Sequence, residues 1–199
     1  MSFIQIIGPD SAEGRLSKIY QSVSGPGGQV DQVLQIHSLR PHTLEGHMGL
    51  YKAVLHHPRN QLPVWFLEAI GVLVSQVNKC DYCARHHSVG MKRQMGKEAA
   101  KFEACLEALQ NEAPGYPFTS AQSAALVYAR KLTLTPGDIS ASDISDLRAT
   151  GLSDGQILEI NQVASYFAYA NRTVTGLGVS TDGEVLGLAP SENKGWEHM

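Results

Sequence analysis

Cysteine is scarce in this chain: its 199 residues include three, Cys80, Cys83 and Cys105. Three thiols cannot staple a chain of this length, so a disulfide scaffold is excluded. Concentrated charge is lacking too. The formal net charge is -3, and no run of basic residues occurs. Nucleic-acid binding needs clustered Lys and Arg to displace counterions, so no nucleic-acid partner is expected; a membrane or acidic partner has no more support. The chain does not open on a basic segment followed by an apolar one, so no secretory signal is expected. Nor is there a long unbroken apolar run. Residues 62–77 come nearest, but Glu68 interrupts them, which suits a buried core helix better than a bilayer span. These absences lead to the expectation of a cytoplasmic protein.

What remains is ordinary globular material, with 43% hydrophobic and 18% charged residues. Its length suits one domain with a small extension. Leu16, Ile19, Tyr20 and Val23 recur at helical spacing and predict a helix over 12–23, which Ser24-Gly25-Pro26-Gly27-Gly28 breaks. Further helices are predicted over 29–39, ended by Arg40-Pro41, and over 43–55, ended by His57-Pro58. Pro63 opens one over 63–78, Lys79 and Cys80 form a joint, and others follow over 81–94 and 97–111. Thr119 and Gln122 carry a capping-box pattern for a helix reaching about residue 132, and the last helices run over 140–149 and 153–174. No strand hairpin is evident, so the class is all-α. Leu67-Glu68-Ala69-Ile70 and Leu158-Glu159-Ile160-Asn161 both lie in long apolar helices and hint at a duplicated helical unit. The expected organisation is an N-terminal helical extension and linker over 1–28, a helical domain over 29–190 and a mobile tail over 191–199.

The chemistry concentrates between Glu68 and His87. Cys80-Asp81-Tyr82-Cys83 places two thiols in the first turn of a helix, where outward-pointing amides and the dipole stabilise a thiolate. Two cysteines in one turn are also near enough to bridge after modest adjustment. The bland alternative is a pair of small buried hydrophobes. His87 stands four residues after Cys83, on the same helix face, and a neutral imidazole there can act as base. His86 stands on the neighbouring face and reads better as a packing or surface residue. Glu68, the lone charge in its apolar helix, either reaches solvent or must find a donor, and a histidine on the next helix is a natural one. Cys105 reads as a packed helix position. His37, His42 and His47, five residues apart, do not share a helix face, and no histidine metal cluster is expected.

At these residues the sequence resembles the alkylhydroperoxidase D-like proteins of the carboxymuconolactone decarboxylase superfamily, and within it the branch called peroxidase-related enzymes. The resemblance rests on Glu68, Cys80-x-x-Cys83 and His87, with Glu68-Ala-Ile-Gly-Val-Leu-Val-Ser75 and Asn78-Lys-Cys-Asp-Tyr-Cys-Ala-Arg-His-His87 around them. It extends to Ala170-Asn-Arg172 and Gly176-Leu-Gly178 and spans most of residues 39–178. It implies an all-helical fold assembling into homo-oligomers, from dimers to hexamers. It also implies that Cys83 attacks a peroxide, that Cys80 resolves the sulfenic acid into a disulfide, and that Glu68 and His87 relay the proton. The superfamily's plain decarboxylases lack the cysteine pair, which argues against that chemistry. One departure stands out: the best-studied members carry a histidine immediately before the second cysteine, where this chain has Tyr82, a poor base near neutral pH.

No flavin, haem or nicotinamide site is visible, and the glycines of residues 25–28 lack the strand–turn–helix setting of a dinucleotide loop. The expected partners are therefore a peroxide substrate and an external dithiol reductant, without a bound cofactor or metal. Two other readings compete. Cys80, Cys83 and His87, with Glu68 or His86, would make four zinc ligands, although structural zinc usually joins two separated ligand pairs. A degenerate, purely structural member of the fold is the other.

Overall fold

The computed structural model describes residues 2–25, 28–111 and 115–187. Among them lie nine α-helices and no strand, so the all-α expectation holds. None of these helices is long and apolar enough to cross a membrane. The expected tail over 191–199 lies outside the described residues, as do Pro26 and Gly27 of the linker.

The fold is organised around α4 (Val64–Val77). Every residue of it from Phe66 to Ser75 is buried, because a helix apolar on all sides has no face to offer water. A short joint turns the chain into α5 (Asp81–Met95), which packs back along α4. Helices α6 (Ala99–Gln110), α7 (Ser120–Leu134) and α9 (Asp154–Gly176) cover the other sides of α4. Helix α8 (Ala141–Ala149) packs on α7 and α9. Cys105 is fully buried in the shared core, and the capping box of Thr119 and Gln122 forms at the start of α7. The sequence similarity around Glu68 and Glu159 does not carry over into their surroundings. Glu159 accepts the main-chain N–H groups of Gln61 and Leu62 (2.8 and 2.9 Å) and so anchors the loop before α4, whereas Glu68 is sealed in the core.

The helix of the N-terminal extension packs on the segments that follow it. Helix α1 (Gly14–Val23) buries Leu16, Ile19 and Tyr20 against Val30, Leu34, Leu44 and Met48, forming a satellite core. Two boundaries depart from expectation. The helix predicted over 29–39 shrinks to α2 (Gln32–Gln35), after which His37, Ser38 and Arg40 make tight three-residue turns. The Ser38 hydroxyl accepts the N–H of Ile7 there, and Pro41 has no N–H to continue a helix. Pro41 instead opens α3 (Pro41–Tyr51) at the position where its missing donor costs nothing. From Lys52 to His56 the chain then widens into a π-helical turn, a form that sequence periodicity does not foretell.

A glycine in the middle of α4 lets α9 come close. A Cβ on Gly71 would lie 2.3 Å from two ring carbons of Phe167, which is fully buried. Gly71→Ala is expected to destabilise the fold by about 1–3 kcal/mol, the usual cost of overpacking a core, despite the better helix propensity of alanine. Chemical denaturation measures this directly, and an unchanged or raised midpoint would contradict the packing described.

Candidate active site

The site grows from the joint between α4 and α5. Lys79 adopts a left-handed conformation (φ 56°), which glycine usually occupies at a helix end. The Lys79 N–H donates to the Gln76 carbonyl (3.0 Å) and the Cys80 N–H to the Ser75 carbonyl (2.8 Å), the paired bonds of a Schellman closure. This turn fixes Cys80 as the residue capping α5 and Cys83 as the third residue of its first turn. Both thiols are free and almost wholly buried.

The two sulfurs share a proton. The Cys83 thiol donates to Cys80 and is the largest influence lowering the Cys80 pKa, which falls to about 6 although burial opposes it. The Cys83 amide, Thr175 and Asn171 lower it further. The same hydrogen bond, followed by burial and by the Cys80 charge, pushes Cys83 well above the ordinary thiol range. The first ionisation therefore belongs to the pair. Asn171 is the polar centre of this arrangement. Sealed in an otherwise apolar face of α9, it donates to Ser75 Oγ (3.0 Å) and accepts from Asn78 Nδ2 (2.9 Å), so its amide is held in place beside the thiols.

Glu68 and His87 pair, and both line the same cavity as Cys83. Glu68 Oε2 accepts from His87 Nδ1 at 2.6 Å, and Oε1 lies 3.7 Å from His56 Nε2. The carboxylate does not reach solvent: its exposure is 1%. A bond to Nδ1 leaves Nε2 as the nitrogen of His87 free of the carboxylate. Phe167 braces the imidazole edge-on (4.5 Å between centroids, 89°). Gly90, one turn further along α5, leaves room for the carboxylate, since a Cβ there would stand 3.0 Å from Glu68 Oε1.

His86 turns away from this group. Its ring stacks on Tyr82 (4.4 Å), its Nε2 lies 3.3 Å from Glu184 Oε2, and its Nδ1 accepts the Gly187 N–H. Tyr82 is also engaged elsewhere, donating to Glu184 Oε1 (3.1 Å) and accepting from the Val33 N–H (3.2 Å). Burial raises its phenol further above the usual range, so it is no base for the thiols.

A cavity of about 510 Å³ opens onto Cys83, Glu68 and His87. Cys80 stands behind Cys83, packed with Val174. Access and acidity are thus divided: Cys83 meets the cavity, while Cys80 is the more acidic thiol. One proton shift along their shared hydrogen bond exchanges the charge. Around the cavity, burial and the Glu184 charge raise Asp31 to about 6, and burial lowers His47 to about 3, which keeps that imidazole neutral.

Several of these residues escaped the sequence reading. Tyr51 and His56 meet (Tyr51 Oη to His56 Nε2, 2.9 Å) because the π turn aligns positions five apart. His37 and His47 were expected to diverge, yet their rings approach to 5.1 Å because the chain folds back at Pro41. Asn171 stands in the Ala170-Asn-Arg172 stretch that carries part of the resemblance, with no role attached to it there. Asp31 and Glu184 had no visible signal. Among the described residues, no group of three or more His, Cys, Asp and Glu side chains is arranged to hold a metal.

No protein-family model matches the chain, and no curated protein matches its sequence. Solved structures do match. An uncharacterised peroxidase-related protein from Ralstonia eutropha, described as an alkylhydroperoxidase AhpD core, shares the fold with a TM-score of 0.75 at 20% identity over 90% of this chain and 91% of its own. An uncharacterised peroxidase-related protein from a Silicibacter species matches with a TM-score of 0.69 at 25% identity over 81% of each chain. A cysteine-to-alanine variant of the debrominase Bmp8, in complex with 2,3,4-tribromopyrrole, matches with a TM-score of 0.64 at 18% identity over 88% of this chain and 91% of its own. The chain therefore has the AhpD-like helical fold, and the resemblance to the alkylhydroperoxidase D-like and peroxidase-related proteins is borne out by its structural neighbours.

Thiolate absorbance should rise in one step near pH 6, amounting to one thiolate per chain: below that pH the pair is neutral, above it the pair carries one negative charge. Burial keeps Cys105 out of this window. Asn171→Ala should move the step upward, toward the ordinary thiol value. A wild-type titration with no step below the ordinary cysteine range would contradict the shared proton.

Proposed function

We propose that the protein is a thiol-dependent peroxidase of the alkylhydroperoxidase type. The observation that carries this reading is Cys83 at the cavity wall, with Cys80 hydrogen-bonded behind it. One proton of the thiol pair is taken up at Nε2 of His87, whose Nδ1 is paired with Glu68, and the other is shared between the sulfurs. The shared proton passes to Cys80, leaving a Cys83 thiolate. This attacks the terminal peroxide oxygen, forming an S–O bond and breaking the O–O bond. The departing alkoxide takes the proton from His87 and leaves as the alcohol. Cys80 then attacks the Cys83 sulfenic acid, its proton joins the departing hydroxide as water, and the disulfide forms. An external dithiol returns two electrons and two protons by thiol–disulfide exchange.

Glu68 fixes the tautomer and orientation of His87, the division of labour usual in carboxylate–histidine pairs. Tyr82 takes no part, since its hydroxyl is committed to Val33 and Glu184. The zinc-binding alternative has less support. His87 Nδ1 is occupied by Glu68, and the two thiols are bonded to each other and to Asn171.

With an organic hydroperoxide and a small dithiol, wild-type protein is expected to turn over continuously, and Cys83→Ser not at all. Cys80→Ser should stop after one equivalent of peroxide, leaving a sulfenic acid that a carbon nucleophile traps on Cys83. His87→Ala should lower the rate by roughly 10²–10⁴, the range for a lost acid–base group. Retained turnover in Cys83→Ser, or trapping on Cys80 in Cys83→Ser, would overturn the assignment.

A further inference from the structure

The cavity is far larger than a peroxide group needs. Its volume, about 510 Å³, lies within the range of pockets for drug-sized ligands, whereas a water-sized reactant fills about 30 Å³. It also has a direction. Cys83, His87, Gly90 and Arg93 follow at steps of three and four along α5, so they share a face, and all four line the cavity. Arg93 stands ten positions beyond Cys83, roughly 15 Å along the helix at 1.5 Å per residue. Leu34, Met48, Tyr51 and Tyr166 supply apolar and aromatic wall.

Two cations line this cavity. Lys52, half-buried where the π turn begins, lines the cavity and makes no ion pair among the described residues. Arg93 has no carboxylate partner among the described residues; its guanidinium donates to the main-chain carbonyl of Gly187. Lys52 and Arg93 thus line the same cavity from two different elements, the π turn and α5. Of the acids on the wall, Glu68 is taken up by His87 and His56, and burial, followed by the Glu184 charge, raises Asp31 to about 6. Two cations without acidic partners, facing a mostly apolar cavity, are a receptor for an anion joined to an apolar body.

We propose that the cavity takes an elongated organic molecule with an apolar body and a single carboxylate, and that Lys52 and Arg93 bind the carboxylate while the far part of the ligand reaches Cys83. On the peroxidase reading above, the substrate class is a hydroperoxy acid rather than hydrogen peroxide or a small neutral hydroperoxide; the binding itself does not depend on that reading.

The test compares linoleic acid hydroperoxide with its methyl ester as substrates, and the corresponding hydroxy acid with its methyl ester as ligands of the reduced full-length protein by calorimetry. The acid should bind roughly ten- to a hundredfold more tightly than the ester, as expected for charge-assisted hydrogen bonds, and added salt should narrow the gap. Lys52→Gln and Arg93→Gln should each shrink the ratio of acid to ester, the double variant should bring it near one, and Lys52→Arg should largely keep it. Both residues are at least partly exposed, so these variants are expected to fold, which circular dichroism checks. Equal binding of acid and ester by the wild type, or a preference that survives in the folded double variant, overturns the proposal. If the acid binds preferentially but no hydroperoxide is consumed, the carboxylate site stands and the peroxidase reading falls. If hydroperoxides are consumed without preference, the reverse holds.

Discussion

A buried carboxylate is the constraint on which the rest of the site depends. Glu68 lies in the middle of a helix whose every neighbour from Phe66 to Ser75 is out of water. Leaving such a group without partners costs several kcal/mol, so the surrounding elements must supply donors and leave space. Helix α5 supplies His87 at 2.6 Å and, one turn on, a glycine where a side chain would collide. The π turn brings His56 to the second oxygen. Phe167 holds the imidazole edge-on and reaches it only because Gly71 lets α9 close on α4. Each of these is a separate feature of the chain, and each makes sense as a condition for burying one carboxylate beside one histidine.

The thiols follow a second logic, in which charge and access are placed on different atoms. Cys80 sits where Asn171, Thr175 and the start of α5 favour a thiolate, but it lies behind the wall. Cys83 faces the cavity but ionises with difficulty while Cys80 is charged. A proton shared between the sulfurs lets the charge move from one to the other. The resting charge is kept away from adventitious oxidants by the same burial.

Much of this was legible in the residues. Long helices show their period, and Thr119 with Gln122 shows its cap. A lone Glu68 in an apolar helix, followed by Cys80, Cys83 and His87 at fixed spacing, marks the site before any fold is known. The misses share a physical cause. The π turn at Lys52–His56 breaks the 3.6-residue period on which face assignments rest, so Tyr51, Lys52 and His56 pointed nowhere in particular. Asp31 and residues 21–25 reach the cavity, and Glu184 reaches Tyr82, through chain folding over long sequence distances, and no local pattern records such contacts. Of the linker expected before residue 29, Ser24 and Gly25 line the cavity, a placement that composition does not record.

The central claim is that Cys83 and Cys80 form one redox unit at the cavity wall. It is tested most directly by mixing reduced protein with less than one equivalent of an organic hydroperoxide, quenching rapidly with an alkylating agent and mapping the cysteines by mass spectrometry. The account predicts a Cys80–Cys83 disulfide formed in step with the peroxide consumed and reversed by a dithiol, with Cys105 alkylated throughout. Peroxide consumed while Cys80 and Cys83 both remain reduced, or a disulfide that involves Cys105, would contradict it.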